Sequence, residues 1–321
     1  MIVTLAGGVG AARFLAGLAR AVPPAELTAV VNVGDDLELH GLHVSPDLDT
    51  VTYTLAGAIN PETSWGLAGE TWRAMGALGR YGGLTWFNLG DLDLGTHLYR
   101  TQRLREGADL AAVTAEITAA WGLELRILPV TNDRLRTFVT LAEPDPLAHL
   151  PAGAEISFQE YFVQRRHAVA ISAVRFDGAE TATPAPGVLE AIAQAEMVVI
   201  APSNPLVSIA PVLATPGVRA AVAARREACA AISPIVGGAA LKGPADRMLR
   251  ELGLDSSVVA VARLYRDLCS VLVIDEADRS LAGEVEAQGV RAVVTDTIMS
   301  TPDKAAALAR TVRQSVLESR P

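Results

Sequence analysis

The chain has 321 residues, half of them hydrophobic and a fifth charged, with a formal net charge of −9. That acidic surplus, with no basic cluster interleaved with aromatics, argues against a nucleic-acid partner. Two cysteines and five histidines provide neither a disulfide framework nor a zinc set. No apolar run approaches the ~18 residues of a membrane span, and the first residues lack a basic n-region, so a cytoplasmic chain with no membrane partner is expected.

The opening MIVTLAGGVGAARFLAGLARAVP predicts a strand over Ile2–Leu5 and a helix over Ala11–Ala21, stopped by Pro23 and Pro24. Gly7, Gly8 and Gly10 lie between them, so backbone N–H groups and a helix N-terminus point at one place, as an anion site requires. Two common nucleotide loops do not fit. Read from Gly8 the turn is G-V-G-A-A-R, with Arg13 where a dinucleotide fingerprint needs its third glycine, and no Gly-Lys-Ser/Thr follows. The loop therefore predicts phosphate or backbone contact, with Arg13 as an added phosphate contact or a solvated side chain.

Further strands are predicted at Leu27–Val33, Leu125–Pro129, Thr137–Leu141, Ala168–Val174, Met197–Ala201, Ala231–Val236, Val271–Ile274 and Arg291–Val294. Helices are predicted at Pro186–Ala195, Val218–Ala228, Ala245–Leu252, Ala282–Gln288 and Pro302–Glu318. This alternation predicts an α/β fold, a Rossmann-like, mostly parallel sheet with helices on both faces. Residues 47–121 read as a helical insertion forming one wall of a cleft, and no linker divides residues 1–321, so a single domain is expected.

Acids gather where strands end. VVNVGDD places Asn32, Asp35 and Asp36 at the carboxyl edge of the second strand, and SPDLDT places Asp47, Asp49 and Thr50 at the next helix start. One acid of SPDLDT can serve as a cap while the other faces the cleft. Four carboxylates near one edge repel unless a cation joins them, and hard oxygen ligands suit Mg²⁺. A turn, NLGDLDLGTH, adds Asn88, Asp91, Asp93, Thr96 and His97, which are candidate contacts or ordinary turn residues. Farther on, Ser203, Asn204 and Ser208 follow a strand, and Lys242 and Gly243 lie in a glycine-rich loop that can clamp phosphate. The sum is a cleft with two phosphate-friendly rims around a nest of carboxylates, which suits transfer at a diphosphate.

The stretches GGVGAARFLAGL, VNVGDD, SPDLDT, NLGDLDLGTHLYRT, FQEYFV, APSNPLVSI and SPIVGGAALKGPAD run along nearly the whole chain. Together they resemble the 2-phospho-L-lactate transferase family (CofD/FbiA) of deazaflavin coenzyme F-420 synthesis. The resemblance implies an Mg²⁺-dependent transfer of a phospholactyl or phosphoenolpyruvyl group from a GDP-activated three-carbon acid. The acceptor it implies is the ribityl hydroxyl of the deazaflavin Fo, with release of GMP, and a homodimer is expected. It implies that Asp47 and Asp49 hold the metal or orient the acceptor, with the deazaflavin contact on Asp49 and with Asp35 and Asp36 in support. The Gly7–Gly10 loop and Ser203/Asn204 would cradle the diphosphate and nucleotide. Trp65, Trp86 and Phe87 would offer the deazaflavin a stacking face. Archaeal-type members carry arginines where this chain has Leu92 and Leu94, and His97, Arg100 or Arg103 are the candidate replacements. The rival reading is a nucleotide-sugar-binding regulator of the gluconeogenesis-factor type, with a similar glycine loop but no turnover; an NAD(P)-dependent oxidoreductase is disfavoured by Arg13.

Overall fold

The computed structural model describes residues 1–146 and 148–318. Its centre is a seven-stranded sheet of β1 (Ile2–Ala6), β2 (Leu27–Val31), β3 (Arg126–Pro129), β4 (Met197–Ile200), β5 (Cys229–Ile232), β6 (Val271–Asp275) and β7 (Arg291–Thr295). The spatial order is β7-β6-β5-β4-β1-β2-β3 and every pairing is parallel. β1, β2, β4, β5 and β6 are buried at every residue, as the unbroken apolar runs of a covered parallel sheet require. Ile2 pairs with Leu27 on one side and Met197 on the other, so the chain reverses its direction of travel through the sheet between β1 and β4. That reversal opens a crevice at the carboxyl ends of these strands, where ligands of open α/β sheets bind.

The first helix, α1 (Gly8–Ala21), begins three residues earlier than its pattern predicts, because the glycines are themselves its first turn. They are there for room. A Cβ on Gly10 would lie 2.1 Å from the Pro202 carbonyl oxygen after β4, and one on Gly17 would lie 2.4 Å from the backbone of Ala305, in the helix Pro302–Glu318.

Between β2 and β3 the chain makes a hairpin (Leu37–Leu39 with Leu42–Val44) and four helices: α2 (Pro46–Leu55), α3 (Arg73–Arg80), α4 (Asp93–Arg105) and α5 (Leu110–Ala120). Leu48 and Val51 bury α2 in the same core as the central strands.

Two predicted strands leave the main sheet. Arg136–Leu141 and Ile171–Asp177 pair antiparallel, with Glu155–Ser157 on the other edge, in a separate three-stranded sheet. Burial alternates along Arg136–Leu141, the mark of a sheet covered on one face. Its covered face (Val139, Leu141, Ile156, Ile171) packs with Val207 and Met248. The predicted strand Ala231–Val236 also divides. β5 ends at Ile232, and after Pro234 the pair Ile235–Val236 folds back on Ala239–Ala240 over Gly237 and Gly238, at φ +58 and +79. No helix among the described residues is long and apolar enough to cross a membrane.

Gly17→Ala is expected to lower unfolding free energy by about 1–3 kcal/mol through overpacking against Ala305. Gly76→Ala, at an exposed helical glycine with nothing within 4 Å of the added Cβ, is expected to raise it by about 0.5–1 kcal/mol. Urea denaturation of the two variants beside the parent checks both signs.

Candidate active site

The site grows from Gly7, the residue between β1 and α1. A Cβ there would fall 2.8 Å from Asp47 Oδ2, 2.9 Å from Ser208 Cβ and 3.3 Å from Asn32 Cβ, so only glycine lets these three segments meet. Asn32 ties them together. Its Nδ2 donates to Asp47 Oδ2 at 2.9 Å and to the Val207 carbonyl at 3.4 Å, while its Oδ1 accepts from the Gly34 amide at 2.8 Å.

Around this point Asp35, Asp36 and Asp47 are all buried. Asp36 Oδ2 accepts from Ser45 Oγ at 2.8 Å and lies 2.9 Å from His43 Nε2. Asp35 Oδ1 and Asp36 Oδ1 are buried with no hydrogen-bond partner among the described residues. Burial, then the charges of Asp47 and Asp36, push the Asp35 carboxyl well above its ordinary range. Burial raises Asp47 from 3.8 to about 7, against the Asn32 and Gly8 hydrogen bonds that hold it down. The three carboxyls are close enough for the charges of Asp36 and Asp47 to raise the pKa of Asp35.

Asp47 and Asp49 serve different sets. The Asp49 carboxylate is gripped by both terminal nitrogens of Arg100, one of them at 3.1 Å. Arg100 is only 2% exposed, and burial acting against its charge is outweighed by Asp49, which raises its pKa. His97 stands between two acids, with Nδ1 3.7 Å from Asp49 and Nε2 3.2 Å from Asp93. The Tyr53 hydroxyl donates to Asp93 Oδ1 at 2.6 Å and lies 2.8 Å from Thr96 Oγ1. The helical repeat builds this arrangement: Asp93, His97 and Arg100 share one face of α4, against Asp49 and Tyr53 on one face of α2. Burial raises the Asp49 pKa despite Arg100 and His97. At Asp93 burial is outweighed by His97 and Tyr53, so that carboxyl is held low. Ligand atoms of Asp49, Asp93 and His97 lie within 4.8 Å of one another, but Arg100 already supplies the positive charge there.

A third set joins three remote segments of the chain. Arg13 Nη2, from α1, and Lys242 Nζ, from the loop after β5, donate to the same Ser64 Oγ at 3.2 and 2.7 Å. Neither cation has a carboxylate partner among the described residues. Burial and the Arg13 charge lower the Lys242 pKa.

Other predicted residues fall elsewhere. Asp91 accepts from the Arg73 and Ala74 amides at 3.0 Å each and from the Thr71 hydroxyl, which makes it the cap of α3. Asn88 is exposed, and Thr50 is buried on α2. Asn204 Oδ1 caps its own turn at the Leu206 amide, 2.9 Å away, with Nδ2 3.6 Å from Met248 Sδ. Ser203 Oγ is buried without a partner, and Gly243 has φ +73 beside the Phe162 ring. Of the candidate arginines, Arg103 turns away to Glu106 and Glu116, so Arg100 alone enters the cluster. Trp65 is 44% exposed, and Trp86 meets Phe87 edge-on at 5.8 Å. Sequence reasoning missed Ser64, Tyr53, His43 and Ser45; the Tyr53 spacing from Asp49 was a usable signal, and Ser64 had none.

A Rossmann-like sheet with buried carboxyls beside its glycine turn and two cations without carboxylate partners among the described residues has a build that suits phosphorylated substrates. Residues 2–315 match the family model described as 2-phospho-L-lactate transferase CofD. The chain is 46% identical over 311 residues to the phosphoenolpyruvate transferase of Streptomyces griseus, covering 96% of both chains. It is 42% identical to that of Thermobifida fusca, covering 99% of this chain and 98% of the relative. A crystal structure of a UPF0052 family protein from Bacillus halodurans superposes with a TM-score of 0.61 at 17% identity, over 97% of this chain and 99% of that one, which shows the fold. The chain belongs to the 2-phospho-L-lactate transferase (CofD) family and is a phospho-group transferase.

A carboxyl raised in the folded state binds its proton more tightly folded than unfolded. Stability of the metal-free chain is therefore expected to fall as pH rises through the window from 3.8 to about 7 in which Asp47 titrates. Asp47→Asn is expected to flatten that fall and to leave the variant at least as stable as the parent at pH 8, as thermal unfolding in chelator at several pH values checks. Arg100→Met, which strands Asp49 in the interior, is expected to cost about 3–5 kcal/mol by urea denaturation.

Proposed function

We propose that the chain transfers a phosphoenolpyruvyl group from a guanosine-diphosphate-activated donor to the ribityl hydroxyl of the deazaflavin Fo, releasing GMP, in a Mg²⁺-dependent step of coenzyme F-420 synthesis. The naming of the curated relatives favours enolpyruvyl over the lactyl group. Two observations support the reading: carboxyl oxygens of Asp35 and Asp36 without hydrogen-bond partners, and two cations, Arg13 and Lys242, without carboxylate partners, in each case among the described residues.

In this reading the hydroxyl oxygen bonds to the phosphorus that carries the enolpyruvyl group, the bond from that phosphorus to the GMP oxygen breaks, and the hydroxyl proton is lost. Asp47, beside the Asp35 and Asp36 oxygens that lack hydrogen-bond partners among the described residues, would offer Mg²⁺ a hard oxygen ligand. When bound, the cation neutralises charge on the diphosphate and the departing phosphate. Arg13 and Lys242 bind the diphosphate from the other side, with the Gly7–Gly10 amides beneath. Asp49, its carboxylate fixed by Arg100 and His97, accepts a hydrogen bond from the ribityl hydroxyl and then its proton, a role its raised pKa suits. Arg100 thereby positions the acceptor in line with the phosphorus.

Incubation with Fo, the enolpyruvyl donor and Mg²⁺ is expected to release GMP and to yield a product whose mass is Fo plus the phosphoenolpyruvyl unit. Asp47→Asn and Asp49→Asn are each expected to lower kcat by about 10²-fold or more. Turnover by the parent with neither donor, or an unchanged kcat in both variants, would rule the assignment out.

A further inference from the structure

Ser64 has a backbone conformation that a serine rarely adopts, φ +64, in the turn that Ile59 and Leu67 close by bridging. The turn is held from within: the Ser64 amide donates to the Asn60 carbonyl at 2.9 Å, and Asn60 Oδ1 accepts from the Glu62 amide at 2.9 Å. The strain leaves the serine 6% exposed, with its hydroxyl between two cations from distant parts of the chain. A non-glycine residue kept in such a conformation is tolerated where its surroundings over-determine it, often at a ligand site.

The charges here do not balance. Arg13 and Lys242 each direct an N–H at one neutral oxygen, and partial desolvation of the exposed Lys242, with the Arg13 charge beside it, lowers its pKa. A hydroxyl accepts two hydrogen bonds and still has one proton to give. Ser64 Oγ uses both acceptor positions on the cations, and its O–H has no acceptor among the described residues. Three donors are thus gathered at one point from α1, the β2–β3 insertion and the loop after β5, with no carboxylate among the described residues to receive them.

We infer that Arg13, Lys242 and Ser64 form a phosphoryl-oxygen site, in which the Ser64 hydroxyl holds the two cations at one spacing and donates to the bound anion as a third ligand. Resting on the donor reading above, the anion is a phosphate of the nucleoside diphosphate, and Ser64 is a specificity-determining contact contributed by the insertion. The two cations alone would bind any polyanion; the hydroxyl, fixed between them, demands an oxygen at one position.

Calorimetry with inorganic pyrophosphate in magnesium-free buffer tests the site without turnover. Ser64→Ala keeps the same backbone strain and removes the hydroxyl; Ser64→Gly removes both strain and hydroxyl. Both variants are expected to bind pyrophosphate about tenfold more weakly than the parent, with thermal unfolding confirming that each folds. Arg13→Gln and Lys242→Gln are expected to bind more weakly still. Equal or tighter binding by Ser64→Ala and Ser64→Gly would show the hydroxyl to be a plug or a bystander and would overturn the inference, as would a parent that binds no pyrophosphate. If pyrophosphate binding depends on Ser64 and no product forms from Fo and donor, the site stands and the donor reading falls.

Discussion

The absence of a side chain at Gly7 is the constraint from which the site follows. Asp47, Ser208 and Asn32 all crowd the space a Cβ would fill, so three segments remote in sequence come together only because that space is free. Asn32 then fixes the spacing with its three hydrogen bonds, and the carboxyls of Asp35, Asp36 and Asp47 are forced into mutual proximity. Their repulsion is a cost that the sheet core carries. β1, β2 and β4 are buried throughout, and such a core can hold a charged cluster that a looser fold would relax.

Placing Asp47 and Asp49 two residues apart at the start of a helix divides labour between them. Neighbouring positions of this spacing face different directions. One acid looks back to the glycine turn and the strand ends, and the other looks outward to α4. The first has no cationic partner among the described residues and rises in pKa; the second is matched by Arg100 and braced by His97. A single short motif thus supplies one carboxyl without a cationic partner among the described residues and one carboxylate with fixed geometry. The insertion is what makes the division possible, because α4 delivers the arginine and histidine from outside the sheet.

The sheet was legible in the sequence because parallel strands buried on both faces read as short apolar runs, and all seven central strands appear near their predicted places. The segments 137–141 and 168–174 read as strands, and the structure places them, at 136–141 and 171–177, in a separate antiparallel sheet. Local pattern does not specify a partner, although the alternating burial of Arg136–Leu141 is the antiparallel signature. Within the site, clustered acids at strand ends could be found from spacing alone. What could not be found was which acid faces which neighbour: Asp91 caps α3, while Asp93 joins the buried network two residues on. Such choices depend on helix phase after a turn, and phase after a turn is set by tertiary packing. Ser64 was invisible for the same reason, since nothing beside it in sequence announces two cations arriving from elsewhere.

Arg13 shows how a nucleotide-binding turn can be re-specified without altering the sheet. In a dinucleotide fold the third glycine of the turn permits close packing of helix on strand. Here that demand falls on Gly10, against the Pro202 carbonyl, and on Gly17, against Ala305, so position 13 is released from packing. A released position one turn into α1 can carry a long cationic side chain toward the crevice, and Arg13 reaches Ser64 across it. The same helix start that elsewhere receives a pyrophosphate through backbone amides alone therefore gains a side-chain ligand. Lys242 meets the same Ser64 oxygen from the loop after β5, so an anion bound there would be held by two cations and fixed in orientation. In-line displacement depends on orientation of that kind, which a backbone cradle on one rim does not by itself impose.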